Sequence, residues 1–283
     1  MRILYAADGS EGGLGPARFL AGLPHHRDIH VHIVTVLDTE DRGDGSAILS
    51  AAKAALGEFP GHVTTATGRG NSTSEVVDVL LYTADYIGAD LIAVGASGRS
   101  AIARFFLGSV AESVARHSRQ PVLVTRPQNA PLREVIVGID GSDKSKAAAA
   151  FAAARFPLPL LCTLRLTSVV PQPVFLVVPD PLYPGAPDDL ALELASREAQ
   201  KQARHEAETL ADTLRSTKGG PRIDVEPVAL GSPAVELVRI ADEHSAGLIV
   251  VGAQGLNGIE RFLMGSVSER VLRHAHCSVL IGK

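Results

Sequence analysis

Short apolar runs alternate with longer mixed stretches along the whole chain. The runs at 2–7, 30–37, 62–67, 90–94 and 121–125 read as strands. Between them, helices are predicted at roughly 11–22, near 46–58, at 73–87 and at 109–118. The same alternation then starts again, with strands at 134–139, 161–169, 222–229, 247–251 and 277–281. Helices at 143–155, 189–216, 233–244 and 266–275 separate them. Strands that are continuously apolar and separated by helices imply a parallel sheet buried on both faces. Right-handed crossovers make each set of five strands a doubly wound α/β domain. Its ligand crevice lies beyond the carboxyl ends of the strands, at the topological switch point.

The alternation repeats because the sequence does. At an offset of 157, residues 95–126 and 252–283 agree at 15 of 32 positions, among them Arg104/Arg261, Glu112/Glu269 and His117/His274. The unit starts, RILYAADGS at 2–10 and EVIVGIDGS at 134–142, match at an offset of 132. The second copy therefore holds about 25 extra residues, mostly in a proline-rich stretch at 171–187 and a longer following helix. The polar, proline-flanked PQNAPL at 127–132 marks the boundary, giving domains at 1–130 and 131–283.

Composition excludes more than it selects. A net charge of −4 offers no general basic surface for nucleic acid, and 4% aromatics leave no stacking platform. No apolar run of about 18 residues exists to span a bilayer, and the N-terminus turns polar too early for a signal peptide. Two cysteines, Cys162 and Cys277, make no disulfide framework, which fits a reducing cytoplasm.

Chemistry concentrates at the strand ends. Each copy carries G-x2-G-x9-G-S, as Gly95, Gly98, Gly108 and Ser109 and as Gly252, Gly255, Gly265 and Ser266. Glycines there permit positive φ and close backbone approach to an anion, and a helix opening at Gly-Ser favours negative charge. Tight turns that need glycine for packing are the alternative. Ser109 and Ser266 each also read as the start of a Ser-x-x-Glu capping box with Glu112 or Glu269. Asp8 and Asp140 end their first strands, either as Asx-turns or as carboxylates facing a nucleoside. Arg104 and Arg261 lie in the glycine loops, and Arg99 in the first loop faces Leu256 in the second, so the two sites need not be equal. His25, His26, His30 and His32, and His274 and His276 with Cys277, lack convincing metal spacing. The proline-rich stretch reads equally as a lid, an interface arm or a loop. No P-loop, nucleophile-base pair or general base is legible.

The two glycine patterns, the first-strand aspartates and the closing segments GSVAESVARHSRQPVLVTR and GSVSERVLRHAHCSVLIGK together resemble tandem universal stress proteins over essentially the whole chain. The resemblance is to the ATP-binding branch. It implies two tandem Rossmann-like domains, each a five-stranded parallel sheet of order 3-2-1-4-5 with helices on both faces. It also implies ATP, with or without Mg²⁺, held largely by backbone. Asp8 would then contact the nucleoside and Val36 the adenine, with Gly95, Gly98, Gly108, Ser109 and Val110 on ribose and phosphates. The second set would be Asp140, Val169, Gly252, Gly255, Gly265, Ser266 and Val267. The family pairs domains through the last strand, so an internal pseudo-dimer or a homodimer is implied. The function expected is ATP binding in stress response or regulation. A slow ATPase or nucleotide-dependent transferase, and a nucleotide-free dimerisation scaffold, are the rivals.

Overall fold

The computed structural model describes residues 1–24, 28–98, 107–127, 132–172, 189–216, 220–254 and 264–283. The first domain runs β1 (Arg2–Ala6), a 3-10 turn (Gly12–Leu14), α1 (Gly15–Ala21), β2 (His30–Leu37), α2 (Ser46–Ala55), β3 (His62–Arg69), α3 (Thr73–Ile87), β4 (Leu91–Gly95), α4 (Ser109–His117) and β5 (Val122–Thr125). The second runs β6 (Glu134–Ile139), α5 (Asp143–Ala154), β7 (Thr163–Val170), α6 (Asp189–Arg215), β8 (Arg222–Val225), β9 (Ala229–Leu230), α7 (Pro233–Glu243), β10 (Leu248–Gly252), α8 (Ser266–His274) and β11 (Ser278–Gly282).

The strands lie in the order β3-β2-β1-β4-β5-β11-β10-β6-β7-β8. Each half is therefore a parallel 3-2-1-4-5 sheet, as expected. The predicted strand over 222–229 is two pieces instead. Pro227 has no amide for the ladder, so β8 stops at Val225 and the chain rejoins β7 as β9, with Ala229 opposite Val169.

The halves join where β5 meets β11 antiparallel, with Val124 opposite Val279 and Val122 opposite Ile281. Because these two strands run in opposite directions, the strand carboxyl ends of the two halves point to opposite edges of the sheet. The buried side chains of each face form a layer shared by both domains. Ile33, Ala52, Leu164 and Ala211 belong to one layer, and Val94, Val114, Val251 and Val271 to the other. A fully buried aliphatic side chain contributes roughly 1.5–3 kcal/mol, so the shared layers oppose separation of the halves.

Polar groups repeat the symmetry of the seam. Arg126 Nη2 donates to the carbonyl of Leu272 at 2.9 Å, and Lys283 Nζ donates to the carbonyl of Ala115 at 2.6 Å. Each last strand thus grips the C-terminal end of the other domain's closing helix, where exposed carbonyls favour a cation. Arg273 pairs with Glu112 at 2.6 Å and Arg116 with Glu269 at 3.4 Å, crossing between α4 and α8.

Candidate nucleotide site

Both copies turn in the same way after their first strand. Asp8 Oδ1 accepts from the amide and hydroxyl of Ser10, at 2.9 and 2.7 Å. Asp140 Oδ1 accepts from the amide and hydroxyl of Ser142, at 3.1 and 2.6 Å. The residue between them is a glycine with positive φ, Gly9 at 80° and Gly141 at 81°. The left-handed conformation is therefore at the Asp-Gly-Ser turns. The Asx-turn reading is realised, and it uses one carboxylate oxygen in each copy. A Cβ on Gly98 would stand 2.8 Å from the other oxygen of Asp8, so the first glycine loop lies directly against that carboxylate.

The glycine loops depart from the expected positive φ and follow the packing alternative instead. Neither Gly95, Gly98, Gly108, Gly252 nor Gly265 has positive φ. What requires glycine at Gly95 and Gly252 is packing. A Cβ on Gly95 would lie 2.2 Å from the carbonyl oxygen of Gly12, and one on Gly252 would lie 2.9 Å from the amide nitrogen of Ser145. These are the places where the segment entering α1, and the first turn of α5, press on the neighbouring strand end. Gly108 is different, since a Cβ there would meet only ordinary contacts, the nearest at 3.5 Å.

The capping-box expectation is overturned. Gly108 and Gly265 are themselves the N-caps of α4 and α8, so Ser109 and Ser266 are the first helical residues and no side chain caps either helix. The Gly108 amide donates to the Ala96 carbonyl at 2.7 Å and the Gly265 amide to the Ala253 carbonyl at 2.6 Å. The amides of Ser109 to Ala111, and of Ser266 to Ser268, fall outside the helical ladder. With the N-terminal dipole they favour an anion. Ser109 Oγ lies 3.3 Å from Thr73 Oγ1. Glu112 and Glu269, released from capping, serve the cross-domain ion pairs.

In the second domain these features enclose a cavity of about 610 Å³, within the range of small-molecule sites. Asp140, Val169, Gly252, Gly265, Ser266 and Val267 all line it. The side chains of Val36, Val110, Val169 and Val267 pack against the core layer. Gly255 lies outside the described residues, as do Arg99, Leu256, Arg104 and Arg261. In the first domain Gly98 touches Asp8, and a Cβ on Gly108 would be 3.7 Å from the Gly98 amide nitrogen. Asp8, Gly98 and Gly108 therefore come together, beside Ser109.

The structure adds residues that sequence reasoning missed. Ser168 is 3% exposed, lines the second cavity and has no hydrogen-bond partner for its hydroxyl among the described residues. Thr35, the matching residue in β2, is likewise buried and has no partner for its hydroxyl among the described residues. A hydroxyl at the third position from the end of the second strand in both copies was the available signal. Ser268 Oγ donates to the carbonyl of Gly252 at 2.5 Å and fixes the glycine turn. Gln202 and Glu206 of α6 also line the cavity.

The weaker candidates resolve differently. His30 stacks on His62 with ring centroids 4.8 Å apart, and His32 Nδ1 lies 2.7 Å from Thr64 Oγ1. His276 faces Asp242 at 3.3 Å. Among the described residues no three His, Cys, Asp or Glu side chains gather as metal ligands. His25, His26 and residues 173–188 of the proline-rich stretch lie outside the described residues. Cys162 and Cys277 are buried free thiols, and burial pushes both up to about 12. No helix among the described residues is long and apolar enough to cross a membrane.

The profile of the universal stress protein family matches residues 1–126 and again 131–283. The chain belongs to the universal stress protein family. It is 33% identical over 207 residues to a universal stress protein of Mycobacterium tuberculosis, covering 69% of this chain and 62% of that protein. The match thus spans under two thirds of that relative's length. It is 32% identical over 156 residues to a universal stress protein of Methanocaldococcus jannaschii, covering 53% of this chain and 82% of the relative. In fold it is similar to the crystal structure of a universal stress protein from Archaeoglobus fulgidus. That comparison has a TM-score of 0.65 and 17% identity, over all of this chain and 98% of the other. A putative universal stress protein of Pseudomonas aeruginosa superposes with a TM-score of 0.66 at 20% identity, over all of this chain and 92% of that one.

Proposed function

We propose that this universal stress protein binds adenine nucleotide, with ATP as the ligand and a regulatory rather than catalytic role. The observation that carries the reading is the second-domain cavity, because four positions read from the sequence pattern and two implied by the family resemblance, Val169 and Val267, line one enclosure of about 610 Å³. Three further features fit a nucleotide. The uncapped N-terminus of α8 offers amides and a dipole to phosphate. Val169 lines the cavity at the end of β7 while its side chain packs against the core layer. The Ser168 hydroxyl is buried without a partner among the described residues. ATP, when bound, would bring its own charge and any Mg²⁺, while the chain orients it and excludes water.

The regulatory role is supported by what the cavity walls hold. Ser145 and Ser268 are committed to hydrogen bonds that shape the turns. No histidine or lysine lines the cavity among the described residues. The first domain repeats the Asx-turn, the glycine loop and the uncapped helix, so the reading extends to a second nucleotide at Asp8, Val36, Gly95, Gly98, Gly108, Ser109 and Val110. The buried free thiols support a reducing compartment such as the cytoplasm.

Equilibrium dialysis of the purified chain against labelled ATP, alone and as the Asp140→Ala, Ser266→Ala double variant, tests the reading. Saturable binding that weakens in the variant supports it. No binding at millimolar ATP overturns it and leaves the scaffold reading. A turnover assay on the same samples separates binding from ATPase activity.

A further inference from the structure

The second cavity has a wall that the repeat did not supply. Helix α6 spans Asp189–Arg215, against Ser46–Ala55 for the matching α2. Counted back from the matching helix ends, the added turns bring Ala199, Gln202 and Ala203 to the cavity, and Glu206 stands where α2 begins with Ser46. Helix α2, read as SAILSAAKAA, contains no acidic residue.

Glu206 is held in a defined place. Gln202 Nε2 donates to its Oε1 at 2.7 Å, one helical turn earlier. Its Oε2 rests on the Asp-Gly-Ser turn so closely that a Cβ on Gly141 would lie 2.2 Å away. Asp140 precedes that glycine, and its Oδ1 is already engaged by Ser142. This corner of the cavity therefore presents two carboxylates and the buried hydroxyl of Ser168, which has no partner among the described residues. The opposite end is the N-terminus of α8, which presents donors.

A ligand that satisfies both ends is anionic at one and rich in hydrogen-bond donors at the other. Strand order refines this. The proposed base contact lies at the end of β7 and the phosphate contacts lie at the end of β10 and the start of α8. Strand β6 sits between β7 and β10 in the sheet. The group that bridges base and phosphate, a sugar, therefore passes over the end of β6, where Glu206 rests on Gly141.

We propose that Glu206 is a specificity-determining residue of the second cavity, accepting hydrogen bonds from the sugar hydroxyls of a ribonucleotide, with no counterpart in the first domain. The proposal rests on the nucleotide reading of that cavity. Asp140 and Glu206 together suit a vicinal diol, which has two O–H donors, one for each carboxylate. Gln202 fixes the Glu206 carboxylate before the ligand arrives, which limits the ordering cost on binding.

The test titrates ATP and 2′,3′-dideoxy-ATP calorimetrically into the unaltered chain, Glu206→Ala and, as a control, Glu208→Ala. Glu206 is half-buried on a helix surface, so its alanine variant retains the fold, which thermal melting verifies. A hydrogen bond to a charged group corresponds to roughly a tenfold to hundredfold change in affinity. Loss of the carboxylate also reduces repulsion of the phosphates, but it does so for both nucleotides and cancels in their ratio. The expected result is a binding phase in which the preference for ATP over the dideoxy analogue falls roughly tenfold or more in Glu206→Ala and is unchanged in Glu208→Ala. An ATP-to-dideoxy ratio that Glu206→Ala leaves unchanged in every phase overturns the assignment of Glu206 while leaving nucleotide binding intact. If the unaltered chain binds neither nucleotide, the nucleotide reading falls and this proposal with it.

Discussion

Alanine at Gly95 should cost far more stability than alanine at Gly108, although the two glycines belong to one motif. A Cβ on Gly95 would stand 2.2 Å from the carbonyl oxygen of Gly12 and 2.8 Å from its carbon. Non-bonded carbon atoms prefer separations of about 3.5–4.0 Å, so the carbon pair alone overlaps by about 0.7–1.2 Å, and the clash falls on backbone rather than on a side chain that can swing away. Relief requires the segment leading into α1 to move off β4. Overpacking of this kind costs roughly 1–3 kcal/mol, and backbone on the receiving side puts Gly95→Ala near 3 kcal/mol. In a chain of this size each kcal/mol lowers the melting temperature by about 2–4 °C, which gives a fall of about 6–12 °C. Gly108 has φ −71° and ψ 147°, which alanine adopts freely, and its nearest neighbour would be 3.5 Å from the new Cβ. Only the poorer N-cap preference of alanine remains, about 1 kcal/mol, or about 2–4 °C. Scanning calorimetry without added nucleotide measures both. Equal shifts, or an undisturbed Gly95→Ala variant, would refute the division of the motif into a packing glycine and a ligand-facing one. Nucleotide affinity should follow the reverse order among molecules that remain folded, since Gly108 flanks the free amides of α4.

Lys283 gives a signed dependence on pH. Burial, and then the charge of Lys144, hold its ammonium down to about 8, against about 10.5 in the unfolded chain. Between those values the unfolded chain binds the extra proton, so this residue makes stability rise with pH from about 8 to 10.5. Urea unfolding at pH 7.5 and pH 10 should show the stability of the parent relative to Lys283→Met rising by about 2–3 kcal/mol, and no change would contradict the burial. The two thiols act in the other direction. Pushed up to about 12, they stay protonated in the fold, and the stability they confer below pH 9 is lost as pH rises toward 12. At pH 8 iodoacetamide should label neither Cys162 nor Cys277 until the chain unfolds, which mass spectrometry reads directly. Gly141→Ala should destabilise by about 2 kcal/mol, through positive φ and the contact with Glu206, and a neutral result would contradict the turn geometry.

Much of the fold is legible because local and tertiary preferences agree. Helix α3 begins where Ser72 accepts from the Glu75 amide and ends at Gly88, whose φ of 60° closes it. The inner strands of the two 3-2-1-4-5 sheets appear as apolar runs, whereas the edge strands β3 (HVTTATGR) and β8 (RIDV) are mixed. The break between β8 and β9 hangs on Pro227 and was less visible, because the flanking residues still read as one strand. The start of α4 was misread because Gly108 and Ser109 are both acceptable N-caps, and only the backbone decides between them. The glycine motif disclosed its strand-end position but not its division of labour. Whether a glycine meets a ligand or the carbonyl of Gly12 depends on residues more than 80 positions away. Glu206 was invisible for the same reason, and Ser168 left only the faint signal of a hydroxyl matched by Thr35. One is an ordinary helical glutamate and the other an ordinary strand serine until β6, β7 and α6 converge.

The central claim is that the cavity beside Asp140 receives an adenine nucleotide. A crystal structure of the chain grown with ATP tests it most directly. The account predicts density with the base at the end of β7 by Val169, the sugar beside Asp140 and the phosphates at the amides of Ser266 and Val267. An empty cavity at saturating ATP, or nucleotide bound elsewhere on the chain, would contradict it.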